Sequence, residues 1–239
     1  MARVPRLVLA SQSPARLATL KSAGVIPEVV VSGVDEDKVL ADATERFGDL
    51  DPADAVLVLA QAKAEKVASR LEDARDNAGT DVSDAVGDAP VEPVENPADV
   101  IVVGCDSMLE FDGVVVGKPA DAETARERWR SMRGGKGVLH SGLWVVDLRD
   151  DEDGGTGGTL GSTSSTTVWF ADIDDDEIDA YIATGEPLHV AGAFTIDGLG
   201  GPYVERIEGD HHGVVGISLP LLRELLGELG VPWRRLRTP

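Results

Sequence analysis

The hexapeptide Ser11-Gln12-Ser13-Pro14-Ala15-Arg16 follows a short apolar run and opens a helix. Unpaired backbone N–H groups at a helix start, two hydroxyls and a guanidinium can together cradle an oxyanion such as phosphate. The same six residues also read as an ordinary Ser-Pro cap with Arg16 on the helix surface. Asp106 follows Val100-Ile101-Val102-Val103-Gly104-Cys105, and is expected just past the end of a buried strand, where open α/β sheets place their ligands. A carboxylate there can hold a divalent cation through oxygen or orient a water; it can equally shape a turn. Lys63 falls within the helical apolar stripe Val56, Leu59, Ala60, Val67 and Leu71, so its ammonium must snorkel out or meet an anion. Lys118, in Gly117-Lys118-Pro119, offers a compact charge to phosphate or to solvent from a turn. Asp35 and Glu36 form an acidic turn with Asp37, either simply solvated or completing a metal or base site.

Other chemistries lack their residues. His211 and His212 stand in a Gly/Asp loop with no second pair at zinc spacing, and His140 and His189 are isolated, which favours structural roles. Cys105 is the single cysteine, so an intramolecular disulfide is excluded and a small buried apolar residue is expected. Neither a Walker-type phosphate loop nor a Gly-x-Ser-x-Gly elbow occurs. Gly198-Leu199-Gly200-Gly201 permits close backbone approach to a ligand.

The elements that must position these groups alternate between strand and helix, which predicts a mixed α/β fold over residues 1–239. Strands are expected at 6–10, 27–31, 100–103, 138–148, 166–171 and 203–207, with a hairpin at Asp112-Gly113. Helices are expected after Ser13-Pro14, after Asp51-Pro52, from Asp121 to Gly134, from the Asp174 cap to Gly185, and over 218–229. Residues 72–98 and 149–162 are rich in Asp, Glu and Gly without apolar period, and read as mobile insertions.

With 22 basic and 43 acidic residues the net charge is −21, which argues against general nucleic-acid binding but not against a small anionic substrate held by local cations. The opening residues carry too short an apolar run for a signal-peptide core, and no later run approaches a membrane span, so a soluble cytoplasmic protein is expected.

Taken in order, these segments resemble the Maf family of nucleotide pyrophosphatases. The matching blocks are Leu9-Ala10-Ser11-Gln12-Ser13-Pro14-Ala15-Arg16, Ser32-Gly33-Val34-Asp35-Glu36, Leu59-Ala60-Gln61-Ala62-Lys63-Ala64, Gly104-Cys105-Asp106-Ser107 and Gly117-Lys118-Pro119. Further blocks are Tyr181-Ile182-Ala183-Thr184-Gly185-Glu186-Pro187-Leu188, Ala191-Gly192-Ala193-Phe194 and Val214-Val215-Gly216-Ile217. The resemblance implies an elongated mixed sheet with flanking helices and two lobes around a nucleotide-binding cleft, as in inosine triphosphate pyrophosphatases, and often a homodimer. It implies hydrolysis of a nucleoside triphosphate to monophosphate and pyrophosphate with Mg²⁺ or Mn²⁺, the metal falling to Asp106 and Glu36. Asp106 then takes the place of the proton acceptor, with Lys118 and Glu36 also catalytic. Ser11, Ser13, Arg16, Lys63, Ser107 and Asp197 take substrate-binding places. Ala15, Ser107 and Asp197 depart from the pattern associated with thymidine and uridine triphosphates, which leaves the base open, modified nucleotides included. Two other roles are weighed against this enzyme: a nucleotide-binding regulator of cell division without turnover, and a phosphomonoester hydrolase releasing inorganic phosphate.

Overall fold

The computed structural model describes residues 4–77 and 99–237. Its β-branched runs form strands β1 (Arg6–Leu9), β2 (Glu28–Val29), β3 (Val100–Phe111), β4 (Val114–Val116), β5 (Lys136–Asp147), β6 (Thr159–Phe170) and β7 (Val204–Glu208). They make one sheet in the order β2-β1-β3-β5-β6-β7, with β4 also paired to β3. β1 runs parallel to β2 and β3; the other pairings are antiparallel. The sheet is therefore mixed, as expected.

Three strands, β3, β5 and β6, have 12 residues each, which spans ~40 Å at the usual rise. That length lets one strand serve an apolar core at each end. In the first half of β3, Ile101, Val103 and Cys105 face Leu20, Leu222 and Leu226, while Val100 and Val102 face Ala64, Val67 and Leu71 on the other side. Farther along, Leu109 and Phe111 enter a second core with Trp129, Phe170, Ile178 and Tyr181. Helices α1 (Pro14–Ser22) and α7 (Leu219–Glu228) serve the first core, and α4 (Ala122–Met132) and α5 (Asp175–Ala183) the second.

The long helix α3 (Pro52–Asn77) crosses one face of the sheet. Two glycines allow it to sit closely. A Cβ on Gly104 would lie 2.1 Å from the Ala60 carbonyl oxygen and 2.9 Å from the Ala64 Cβ, and one on Gly142 would lie 2.4 Å from the Val56 carbonyl oxygen. Because side chains alternate across a strand, Asp106 projects from the same face as Gly104 and sits opposite Gly142 in the ladder. Close seating of α3 thus carries Lys63 to Asp106.

Several expectations are met in detail. Asp112 and Gly113 have φ of 49° and 78° at the hairpin tip, as a two-residue turn of this hand requires. Asp174 caps α5 as expected, and Asp121 and Ser218, expected only as helix starts, cap α4 and α7 in the same way, each side chain accepting from the backbone N–H three residues on. Others are corrected. Asp106 is not past a strand end: β3 continues to Phe111 because its ladder with β5 continues through Glu110 and Val138. It does lie beyond Leu9, the carboxyl end of the parallel neighbour. The acidic turn is a helix start, with Asp35 capping α2 (Glu36–Phe47) and Glu36 and Asp37 favourably placed in its first turn. That helix buries only Ala43, so no apolar period announced it. β2 is shorter than 27–31.

Both insertions are shorter than expected where they are described. Residues 72–77 continue α3, residues 159–162 belong to β6, and the remainder of the first stretch, 78–98, lies outside the described residues. Within the second, Arg149 is pulled inward: its guanidinium donates to both Asp147 oxygens at 2.8 Å and to the Leu229 carbonyl at 2.8 Å. No described helix is long and apolar enough to cross a membrane.

Burial alone would raise the Asp147 carboxyl, but hydrogen bonds from Arg149 and Thr156 outweigh it and hold it below the usual aspartate range. Its stabilising effect is therefore present above the unfolded value near pH ~4 and is lost as pH falls through the lower folded value. Asp147→Ala should lower stability by about 3 kcal/mol at pH 7, measured by denaturant midpoint, with the gap to wild type closing in acid. Gly104→Ala should cost about 2 kcal/mol by forcing α3 off the sheet, and an unchanged melting curve would refute the seat.

Candidate active site

β3 has two edges. β5 covers one, whereas the other is shared by β1, which ends at the Leu9–Val103 pair, and β4, which starts at Leu109–Val116. Among the described residues, 104–108 therefore have no strand neighbour on that side, and a cleft of about 830 Å³ opens there. All of Ser11, Ser13, Arg16, Glu36, Lys63, Asp106, Ser107, Lys118 and Asp197 line it. A second hollow of about 410 Å³, between α3 and the end of β5, includes Glu65, Glu72 and Arg75 and none of those residues.

The centre of the cleft is a lysine between two carboxylates. Lys63 Nζ lies 2.5 Å from Asp106 Oδ1 and 2.7 Å from Glu36 Oε1. Lys63 and Asp106 are nearly buried, with side-chain exposures of 11% and 10%, while Glu36 at 53% faces solvent. Lys63 thus meets anions rather than snorkelling. Burial pushes the Asp106 carboxyl above the usual aspartate range, against the opposing pull of Lys63 and Arg16. Two carboxylates share one ammonium, with Arg16 beside Asp106, in a partly desolvated place where Coulomb energies are larger than in water.

Arg16 does more than sit beside a phosphate cradle. Ser13 caps α1, accepting from the Arg16 N–H at 3.4 Å. The guanidinium donates from Nε to the Gly216 carbonyl at 2.9 Å, and from Nη1 to Ser11 Oγ at 3.0 Å and the Cys105 carbonyl at 2.8 Å. Nη2 donates to Ser107 Oγ at 3.1 Å. Four of its five N–H donors are thereby engaged by the protein. Arg16 closes the open edge of β3 against α6 (His211–Val215) and leaves one donor and its field for a ligand. Ser107 is likewise held, 2.9 Å from Ser141 Oγ, which donates to the Gly213 carbonyl at 2.7 Å.

Lys118 follows β4 and is exposed on the cleft wall, as is Asp197 on the segment after Phe194. His189, read from sequence as structural, also lines the cleft, because a 3-10 turn (Glu186–His189) brings it there. His140 has the structural role expected, buried between Ser165 Oγ at 2.9 Å and Glu110 Oε2 at 3.2 Å. Val31, Val34, Val115 and Ile196 supply apolar wall between the charged groups. The sequence assigned none of these four a place in the cleft, because an aliphatic side chain carries no chemical signature of the ligand it will face. Glu186 was legible only as part of a matching block.

A mixed sheet with a charged cleft in a break of its edge, walled by apolar side chains, defines an α/β protein suited to a small polar ligand with an apolar part. The family model described as Maf-like protein matches residues 6–229, and the chain belongs to that family. Similar curated proteins include one from Salinispora tropica, 51% identical over 227 residues, covering 95% of this chain and 85% of that protein. Another from Streptomyces avermitilis is 47% identical over 234 residues (98% and 95%), and one from Saccharopolyspora erythraea is 49% identical over 228 (95% and 94%). Each of the three bears the name nucleoside triphosphate pyrophosphatase.

Cys105 has no exposed surface, and burial pushes its thiol up to about 11 despite Arg16 and Lys63 nearby. At pH 8 the folded protein should show no thiol reactive towards Ellman's reagent, and one after denaturation; fast labelling of the native chain would contradict a buried, inert role.

Proposed function

We propose that this chain hydrolyses nucleoside triphosphates, standard or modified, to the monophosphate and pyrophosphate, in the cytoplasm and with a divalent metal. The observation that carries the reading is the Lys63 ammonium held between Asp106 and Glu36 in a cleft that also presents Lys118. The names of the relatives support it.

The donor set fits a hard cation. Asp106 and Glu36 already converge on one positive charge, and among the described residues no group of three or more His, Cys, Asp or Glu side chains could hold a metal ion. One or two carboxylates, completed by water and substrate phosphate, is the usual holding of Mg²⁺. Asp106 and Glu36 would hold the ion, which would neutralise phosphate charge and polarise the phosphoryl group.

The protein groups supply the rest. A water attacks the α-phosphorus while the bond from that phosphorus to the bridging oxygen breaks, and the electron pair leaves on pyrophosphate. Asp106 accepts the water's proton; the Lys63 ammonium at 2.5 Å favours its ionised form against the cost of burial. Lys118, the remaining Arg16 donor and the α1 N-terminus offset charge moving onto the leaving group. The apolar wall accommodates the base.

Purified protein with a panel of triphosphates and Mg²⁺ or Mn²⁺ should release pyrophosphate and monophosphate, with activity lost in EDTA and restored by metal. Inorganic phosphate as the product would instead mark cleavage at the terminal phosphate, and its release from nucleoside monophosphates or sugar phosphates would mark a phosphomonoester hydrolase. Asp106→Asn, in a sample shown to be folded by circular dichroism, should lower kcat by at least about 100-fold. Turnover within a few-fold of wild type would remove Asp106 from the proton-accepting role.

A further inference from the structure

One carboxylate outside the acid–lysine–acid cluster has more donors than any simple surface role requires. Glu186 starts the 3-10 turn after α5 and reaches into the loop of residues 195–200. Its Oε1 accepts from Thr195 Oγ1 at 2.5 Å, from Tyr181 OH at 3.1 Å and from the Gly200 N–H at 3.1 Å; its Oε2 accepts from the Leu199 N–H at 3.0 Å. The Thr195 N–H in turn donates to Tyr181 OH at 3.2 Å. These partners are hydroxyls and backbone amides rather than cations. Burial alone would raise the carboxyl, but the four donors prevail and hold it below the usual glutamate range.

The loop is shaped around this group. A Cβ on Gly198 would lie 2.5 Å from Glu186 Oε2, and one on Gly200 would lie 2.4 Å from Tyr181 OH. The glycine-rich run therefore serves close approach to an internal carboxylate. On its other side the same loop contributes Thr195, Ile196 and Asp197 to the cleft wall. Behind Glu186 the anchor is rigid: the Tyr181 ring packs edge-on against Trp129 at 5.6 Å, and Trp129 packs edge-on against Phe170 at 5.8 Å. A chain of contacts runs from the aromatic core through one carboxylate to a wall of the cleft.

We propose that Glu186 is a positioning residue that fixes the 195–200 loop, and so sets how the cleft discriminates among nucleobases without itself touching the substrate. The inference rests on the reading of the cleft as a nucleotide site. Far from Asp106 in role, Glu186 shapes the binding of substrate and transition state alike, so its loss acts on KM more than on kcat.

Glu186→Gln is the direct test, since a carboxamide keeps the shape but turns an –NH₂ donor towards the donors that hold the loop. Over a panel of triphosphates differing only in base, KM for the preferred one should rise about tenfold, and kcat should stay within about threefold. The ratio of kcat/KM between best and worst base should fall about tenfold. Thr195→Val should move the same quantities in the same direction, and Thr195→Ser, which keeps the hydroxyl, should restore them. If Glu186→Gln does not fold, Tyr181→Phe, which removes one of its donors at a residue that does not line the cleft, decides. Unchanged base ratios in a folded variant, or a fall in kcat alike for all bases with KM unmoved, would overturn the role of Glu186. A wild-type protein that turns over none of the triphosphates would instead sink the nucleotide reading, and this inference with it.

Discussion

The ammonium of Lys63 makes the rest of the site electrostatically tolerable. Asp106 is nearly buried, and Glu36 leans in from the start of another helix; without a cation between them, two carboxylates would repel in a partly desolvated place. The geometry in turn depends on backbone packing. Lys63 reaches Asp106 because α3 lies against Gly104 and Gly142, neither of which has room for a side chain. A helix held a few ångströms farther out would leave the lysine short and the aspartate as an uncompensated buried charge. Packing and charge are one constraint here, since the small residues that seat the helix also bring the ion pair together.

Strand topology supplies the space. The sheet changes from parallel to antiparallel neighbours along a single edge of β3, and the interval between them is where the cleft opens. Arg16 keeps that interval from being an unsatisfied edge, engaging the Cys105 carbonyl, Ser11, Ser107 and Gly216 at once. An arginine suits this place because its planar fork reaches several acceptors in fixed directions and stays charged when half-buried. The guanidinium thus holds the edge of the sheet while adding positive field beside Asp106.

The two ends of the long strands differ in character. The core beneath β1, α1 and α7 is mainly aliphatic, whereas that beneath α4 and α5 is rich in aromatic rings packed edge to face. Aromatic packing provides a stiff base with a polar rim, the Tyr181 hydroxyl, from which Glu186 and its loop are held. The cleft therefore has one wall set by helix seating and another by a carboxylate-centred hydrogen-bond hub.

Much of this was legible in the residue order. Caps at Ser13 and Asp174, helix starts near Asp121 and Ser218, the Asp112-Gly113 turn and the unbroken apolar run into β3 are local signals, each read within a few residues of where it acts. The short blocks and their order also marked Ser11, Ser13, Arg16, Glu36, Lys63, Asp106, Ser107 and Lys118, and the resemblance marked Asp197 as a departure; all of them line the cleft. Other features depended on partners distant in sequence. The burial of Lys63 against Asp106, 43 positions away, the capture of Arg16 by Gly216, 200 positions away, and the turning of a glycine-rich loop around Glu186 have no local signature. Hydrogen bonds and ion pairs depend on distances of a few ångströms between groups the chain brings together only on folding, so composition and spacing could nominate these residues while the packed sheet and helices alone decided what each one touches.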